Sequence, residues 1–164
     1  MALIGLMSDT HDKLDAVERA IAFFNQAKVT HVLHAGDLNS PFVVPKFSKL
    51  KARLHYVWGN NDGDRETIAA RFDELGLPEP QNFASLRLGG RRIALLHGTH
   101  PEIIEAIIRS GKYDVVVRGH THRVKVFGRK PLVVNPGEVC GYLTGRETVA
   151  TLDLERLRVR IVEL

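Results

Sequence analysis

Short apolar runs alternate with amphipathic stretches along the first half of the chain. Residues 3–8 read as a buried strand, and from about Asp12 the residues Leu14, Val17, Ile21 and Phe24 recur at helical spacing. Asp12 and Asp15 are favourably placed in the first turn of that helix. Residues 29–35 form a second expected strand, and Ser40-Pro41 marks the start of a helix around residues 43–51. Residues 53–58 follow as a third strand. Asp62 or Asp64 could cap a helix running to about Leu75, where Gly76 stops it.

From Phe83 the pattern becomes β-rich. Residues 83–88 and 91–96 flank Gly89-Gly90, a hairpin signal. A helix from Pro101 to about Ser110 sets Ile103, Ile104, Ile107 and Ile108 on one face and stops at Gly111. Further strands are expected at residues 114–118, 124–127, 132–134, 148–154 and 157–162. A βαβ start with a β-rich finish predicts an α/β fold of two packed sheets with helices outside. No linker or repeat interrupts the pattern, so residues 1–164 read as one domain, long enough to bury about two thirds of its unfolded surface.

Composition narrows the setting. Hydrophobic residues make up 44% and charged residues 26%, as in ordinary globular proteins. No apolar run approaches the length of a membrane span. The apolar start of the chain, residues 2–7, is too short for a signal peptide and is interrupted by Asp9. A single cysteine, Cys140, excludes an intrachain disulfide and favours a cytoplasmic setting. The net charge of +4 admits nucleic acid as a partner, but the basic residues are dispersed. Arg156, Arg158 and Arg160 alternate with Leu157, Val159 and Ile161 as on the wet face of a strand.

The chemistry lies in five clusters, each following an expected strand: Asp9-Thr10-His11, Gly36-Asp37, Gly59-Asn60-Asn61-Asp62, His97-Gly98 and Gly119-His120-Thr121-His122. Strands sharing one sheet system would bring all five to its carboxyl end, where α/β proteins place ligands. Each cluster alone has a plain structural explanation as a turn, a cap or a satisfied histidine. Together they have none in common. Two carboxylates, an amide and four imidazoles meeting there would suit two metal ions and hydrolysis of a phosphate ester.

The series Asp-x-His, Gly-Asp, Gly-Asn-x-Asp, His and Gly-His-x-His, running in order from Asp9 to His122, resembles the calcineurin-like metallophosphoesterase superfamily. Asn135-Pro136-Gly137 resembles the Asn-Pro-Gly-Ser of its small bacterial and archaeal phosphodiesterase branch. The resemblance implies a four-layer α-β-β-α sandwich with two packed mixed β-sheets. It also implies a dinuclear metal centre, with Mn²⁺ first and Ni²⁺, Fe or Zn²⁺ as alternatives. Carried over, Asp9, His11, Asp37 and His122 hold one metal, with Asp37 bridging, while Asn60, His97 and His120 complete the other. A metal-bridging hydroxide would then attack a small phosphate diester, with no side-chain nucleophile needed. Asp37, Asn60, His97 and His100 are the candidate catalytic residues. Asn61, Arg118 and Arg123 are candidates for substrate binding, the two arginines having surface ion pairs as the alternative. Two other functions remain open: a nuclease acting on nucleic-acid ends, and a metal-binding interaction scaffold like the related retromer subunit. A homo-oligomer could form through the hairpin at Gly89-Gly90 or the C-terminal strand.

Three positions depart from the family pattern. Asn61 stands where many relatives carry a histidine acid. His100 lies one place later than the second histidine of His-Gly-His, leaving contact with phosphate, acid catalysis or solvent exposure open. Glu138 replaces the serine after Asn-Pro-Gly and is expected as an exposed loop acid, with recognition of an amine or a sugar hydroxyl at the site mouth as the alternative. Cys140 is expected to be structural. Because Asn61 cannot supply a proton, and a positioned acid is worth about 10²–10⁴ in rate, the chain should be weakly active on poor leaving groups unless water or another residue substitutes. Steady-state hydrolysis of aryl against alkyl phosphodiesters should show the alkyl esters falling behind as steeply as their intrinsic reactivity requires, with no levelling by an acid.

Overall fold

The computed structural model describes residues 2–164. Ten strands form two five-stranded sheets. In the first, β1 (Leu3–Met7), β2 (His31–His34) and β3 (Arg53–Tyr56) run parallel; on the other side of β1, β9 (Thr148–Asp153) is antiparallel to it and β10 (Arg158–Glu163) antiparallel to β9, in the order β10-β9-β1-β2-β3. The second sheet is built from β4 (Ala84–Leu88), β5 (Arg91–Leu95), β6 (Val115–Val117), β7 (Val124–Phe127) and β8 (Leu132–Pro136), in the order β4-β5-β6-β8-β7. Within it β5, β6 and β8 are parallel. Three parallel strands in each sheet therefore end on the same side of their sheet.

Period-two alternation assembles the layers. Ile4 and Leu6 face inward and meet Leu33, Leu95, Val117, Val134 and Leu152 between the sheets. Met7 and Val32 face outward and pack under helix α1 (Leu14–Ala27) through Val17, Ile21 and Phe24. Helix α2 (Arg65–Glu74) adds Ile68 and Phe72 to the same outer core. Helix α3 (Pro101–Arg109) covers the far face of the second sheet, setting Ile104 over Ala94, Val116 and Val133. The result is the expected α-β-β-α sandwich.

Several expected details are corrected. Asp12 does not join the first turn of α1. Its backbone is left-handed (φ 57°), and its carboxylate accepts from the Ser40 N–H and hydroxyl at 3.2 and 2.6 Å, tying two strand-end loops together. The helix expected at residues 43–51 is a short 3₁₀ helix, Val44–Lys49. The chain just after β2 is spent on the loop carrying Asp37, and Pro41 and Pro45 leave room only for a tight turn. Asp64 caps α2 through the Thr67 N–H at 3.1 Å, which frees Asp62 for another role. Ile103 is 52% exposed, because the buried arc of α3 centres on Ile104. Arg156 lies in a turn before β10 rather than on the strand. No helix among the described residues is long and apolar enough to cross a membrane.

Leu6 is fully buried between the sheets, whereas Val126 lies half-exposed on the edge strand β7. Leu6→Ala should cost about 2–5 kcal/mol, and Val126→Ala should stay within about 0.5 kcal/mol of the parent. Urea unfolding midpoints read at constant slope test both.

Candidate metal centre

All five clusters leave carboxyl ends of parallel strands and close onto one cleft between the sheets. Asp9 and His11 follow β1, Asp37 follows β2, and Asn60 and Asn61 follow β3. His97 follows β5, and His120 and His122 follow β6. Backbone bonds knit these loops together: Asp9 N–H to Gly36 O at 3.0 Å, His11 N–H to Asp37 O at 3.1 Å, and Gly119 N–H to His97 O at 3.0 Å. Asp9, His11, Asp37, His120 and His122 all have positive φ, between 41° and 69°. Non-glycine residues adopt this conformation rarely and at a cost. Two glycines make the approach feasible. A Cβ at Gly59 would lie 2.0 Å from Asp37 Oδ1, and one at Gly119 would lie 1.9 Å from Ser8 Oγ and 2.7 Å from Asp9 Oδ2.

The donor atoms form two overlapping groups. His11 Nε2 lies 3.7 Å from Asp9 Oδ1 and 3.5 Å from Asp37 Oδ2, and His122 Nε2 lies 3.4 Å from Asp9 Oδ1. On the other side, His97 Nε2 lies 3.3 Å from Asp37 Oδ2 and 2.9 Å from Asn60 Oδ1, which His120 Nδ1 approaches to 3.0 Å. Asp37 Oδ2 is common to both. The ligand atoms of Asp9, His11 and His122 lie within 4.8 Å of one another, as do those of Asp9, Asp37 and His97.

Hydrogen bonding shows what this cleft lacks. His97 Nδ1 donates to Ala35 O at 2.7 Å, so its Nε2 faces the acceptors Asp37 and Asn60. Asp9 Oδ1 and His11 Nε2 are buried without a hydrogen-bond partner. Buried polar atoms are almost always paired. A set of lone pairs aimed inward from carboxylates, an amide and imidazoles suits divalent cations, so the residues present fit the metals expected from the sequence.

Titration behaviour follows the same field. Burial opposes charging of His97 and His11, but Asp37 beside the first, and Asp9 with Asp37 beside the second, raise both above the usual imidazole value. Burial likewise opposes ionisation of Asp37, yet His97 and the Asn61 amide hold it well below the usual carboxylate range. His120 is lowered by burial and by the neighbouring His97 charge.

The remaining candidates divide by location. Asn61 turns inward, donating from its side-chain amide to Asp37 Oδ2 and from its backbone to Asp37 Oδ1, each at 2.8 Å. His100 is exposed at the N-terminus of α3. It lines a groove of about 440 Å³ with Trp58, Arg65, Phe83 and Ile103, which opens beside Asn60 and His97. Arg118 pairs with no acid among the described residues. It donates to Gly98 O and Gly119 O at 3.2–3.3 Å, bracing the strand ends. Arg123 is exposed and lines a second groove of about 390 Å³ with His122, Leu143 and Thr144.

Glu138 overturns its expectation. It is fully buried, not an exposed loop acid, because the backbone of residues 143–144 and His122 supply donors to its carboxylate. Cys140 is buried beside it. Burial, with the Glu138 charge adding to it, pushes the thiol up to about 12, as suits an inert residue.

Sequence reasoning gave no site role to Asp62 or Tyr56. Asp62 accepts from Gly59 N–H at 2.7 Å, from Asn39 N–H at 2.9 Å and from the Tyr56 hydroxyl, holding the Asn60 loop against the Asp37 loop. Its place beside Asn60-Asn61 was visible, but its partners lie on other strands.

The model of the calcineurin-like phosphoesterase superfamily domain matches residues 2–157. The chain belongs to that superfamily. It is 41% identical to a phosphodiesterase of Methanocaldococcus jannaschii, over 98% of each chain. A solved archaeal phosphodiesterase superposes with a TM-score of 0.94 at 40% identity, covering 99% of both chains. Vacuolar protein sorting 29 of Cryptosporidium parvum superposes at 0.67 with 21% identity, covering 99% of this chain and 96% of that one, a likeness of fold. Membership in this metallophosphoesterase family implies phosphoester hydrolysis and divalent metal ions.

His34 ends β2 beside this centre, fully buried, accepting from Gly36 N–H at 3.1 Å and lying 3.2 Å from the Thr10 hydroxyl. Burial lowers its pKa to about 3. The unfolded chain therefore binds the proton first, and stability present above about pH 6.5 is lost as the pH falls toward 3. His34→Gln should flatten the stability curve over that window, read by urea unfolding of the metal-free protein at stepped pH. An unchanged slope would show that His34 does not carry the effect.

Proposed function

We propose that the chain is a dinuclear, manganese-preferring phosphodiesterase in which residues 1–164 act as one domain on a small phosphate diester in the cytoplasm. The observation that carries this reading is the pair of buried, partnerless atoms Asp9 Oδ1 and His11 Nε2 facing a complete set of inward-aimed donors. Asp9, His11, Asp37 and His122 would hold one cation and Asn60, His97 and His120 the other, with Asp37 Oδ2 shared. A bound pair supplies positive charge for a phosphate oxygen and activates water at neutral pH.

The chain's own groups do the rest. Two carboxylates against two divalent cations leave the cleft net positive, which favours an anionic ester. Asn60 contributes an amide oxygen and therefore no further negative charge. The Asn61 amide holds the shared carboxylate of Asp37 in one orientation. The His97 Nδ1–H bond to Ala35 O aims Nε2 at the cleft. One ester substituent would lie in the groove of Trp58, Phe83 and Ile103, where apolar walls suit an organic group. His100 borders that groove and would meet the departing alcohol.

A filled donor set argues against a pure scaffold, which has no need to retain every ligand position. Protein stripped of metal should hydrolyse bis-p-nitrophenyl phosphate only as Mn²⁺ is restored, and Asp37→Asn should lose both bound metal and turnover to background. Tight Mn²⁺ binding without turnover on any diester would sink the enzymatic reading.

A further inference from the structure

The family pattern has serine after Asn-Pro-Gly, and the proposed reaction gives Glu138 nothing to do. Yet Glu138 is as deeply buried as any residue at the centre. Its carboxylate accepts from five donors. These are His122 Nδ1 at 2.5 Å, Cys140 Sγ at 3.2 Å, Leu143 N–H at 3.0 Å, and the N–H and hydroxyl of Thr144 at 2.6 and 2.7 Å. The segment carrying it is fastened to the metal cleft, because Val139 N–H donates to Ser8 O and Cys140 N–H to Asp9 O.

A carboxylate surrounded by donors can only accept. The His122 ring must therefore carry its proton on Nδ1, leaving the Nε2 lone pair aimed at Asp9 Oδ1, 3.4 Å away. A ligating imidazole is commonly fixed through its other nitrogen in this way. His122 has particular need of it: its backbone is left-handed (φ 60°) and its loop is exposed on both sides. The carboxylate also fastens the loop of residues 141–146, whose Leu143 and Thr144 wall the second groove beside His122.

We propose that Glu138 is a positioning residue: it sets the tautomer and orientation of His122 toward the metal and locks that ligand to the groove wall at residues 143–144. The proposal rests on the metal-binding reading above, but its first readout needs neither metal nor turnover. In metal-free protein at pH 8, nitrogen NMR of His122, assigned by its loss in His122→Gln, should show a single Nδ1–H tautomer. An Nε2–H tautomer would overturn the proposal.

The second readout is Mn²⁺ calorimetry on Glu138→Gln. An amide keeps only one acceptor oxygen; with that oxygen held by the donors of Leu143 and Thr144, its NH₂ faces His122 Nδ1, so the ring should lose its Nδ1–H tautomer. One of two Mn²⁺ sites should weaken about 10–100-fold while the other keeps its affinity. Thr144→Ala, which leaves the His122 contact in place, should keep both. A folded Glu138→Gln protein with unchanged tautomer and Mn²⁺ affinity would overturn the proposal. So would equal weakening of both sites, the mark of a merely structural residue, or a third Mn²⁺ equivalent abolished by Cys140→Ser, which would make Glu138 itself a ligand. Absence of hydrolysis in a protein that passes both readouts would instead count against the phosphodiesterase reading alone.

Discussion

Asp9 and Asp37 are carboxylates withdrawn from water at strand ends, and the architecture around them is shaped by what that costs. An ionised group out of water is stable only when paired or hydrogen-bonded. Four buried acids meet this requirement in two ways. Asp62 and Glu138 are answered by donors of the protein itself: backbone N–H groups, hydroxyls and an imidazole. Asp9 Oδ1 has no hydrogen-bond partner and faces only the imidazoles of His11 and His122, and Asp37 Oδ2, beside the Asn61 amide, faces those of His11 and His97. That difference separates the carboxylates that hold the loops from the two proposed as metal ligands.

The fold concentrates these groups because six parallel strand ends open toward one another. Backbone strain is the companion cost. Left-handed residues at Asp9, His11, Asp37, His120 and His122 redirect the chain within two to five residues of the ends of β1, β2 and β6. The bonds between strand-end loops, with the close approaches at Gly59 and Gly119, hold that geometry in place. Such strain persists only where the surroundings over-determine it. Open grooves lie on either hand of the centre: one mostly apolar beside Asn60 and His97, the other carrying Arg123 beside His122.

Much of this was legible in the linear chain. Apolar runs located the strands, helical spacing located α1 and α3, cap and stop signals located α2, and the glycines at 89–90 placed the hairpin. The donor residues were legible because each follows an apolar run, so a single rule about strand ends brought them together. The reading failed where a residue's partner is distant in sequence. Asp12 looked like a helix-terminal acid but bonds Ser40, and Glu138 looked like a loop acid but bonds His122.

Local pattern determined the elements, the two-sheet architecture and which residue types stand near the strand ends, because hydrophobic periodicity and residue chemistry act over a few neighbouring positions. Tertiary structure alone decided which nitrogen of each imidazole faces the cleft, which carboxylate oxygens lack a partner, and which acids are spent on the scaffold. Those properties depend on hydrogen-bond partners contributed by other strands. His97 takes its orientation from Ala35, 62 residues away, and no local signal in the chain encodes that contact.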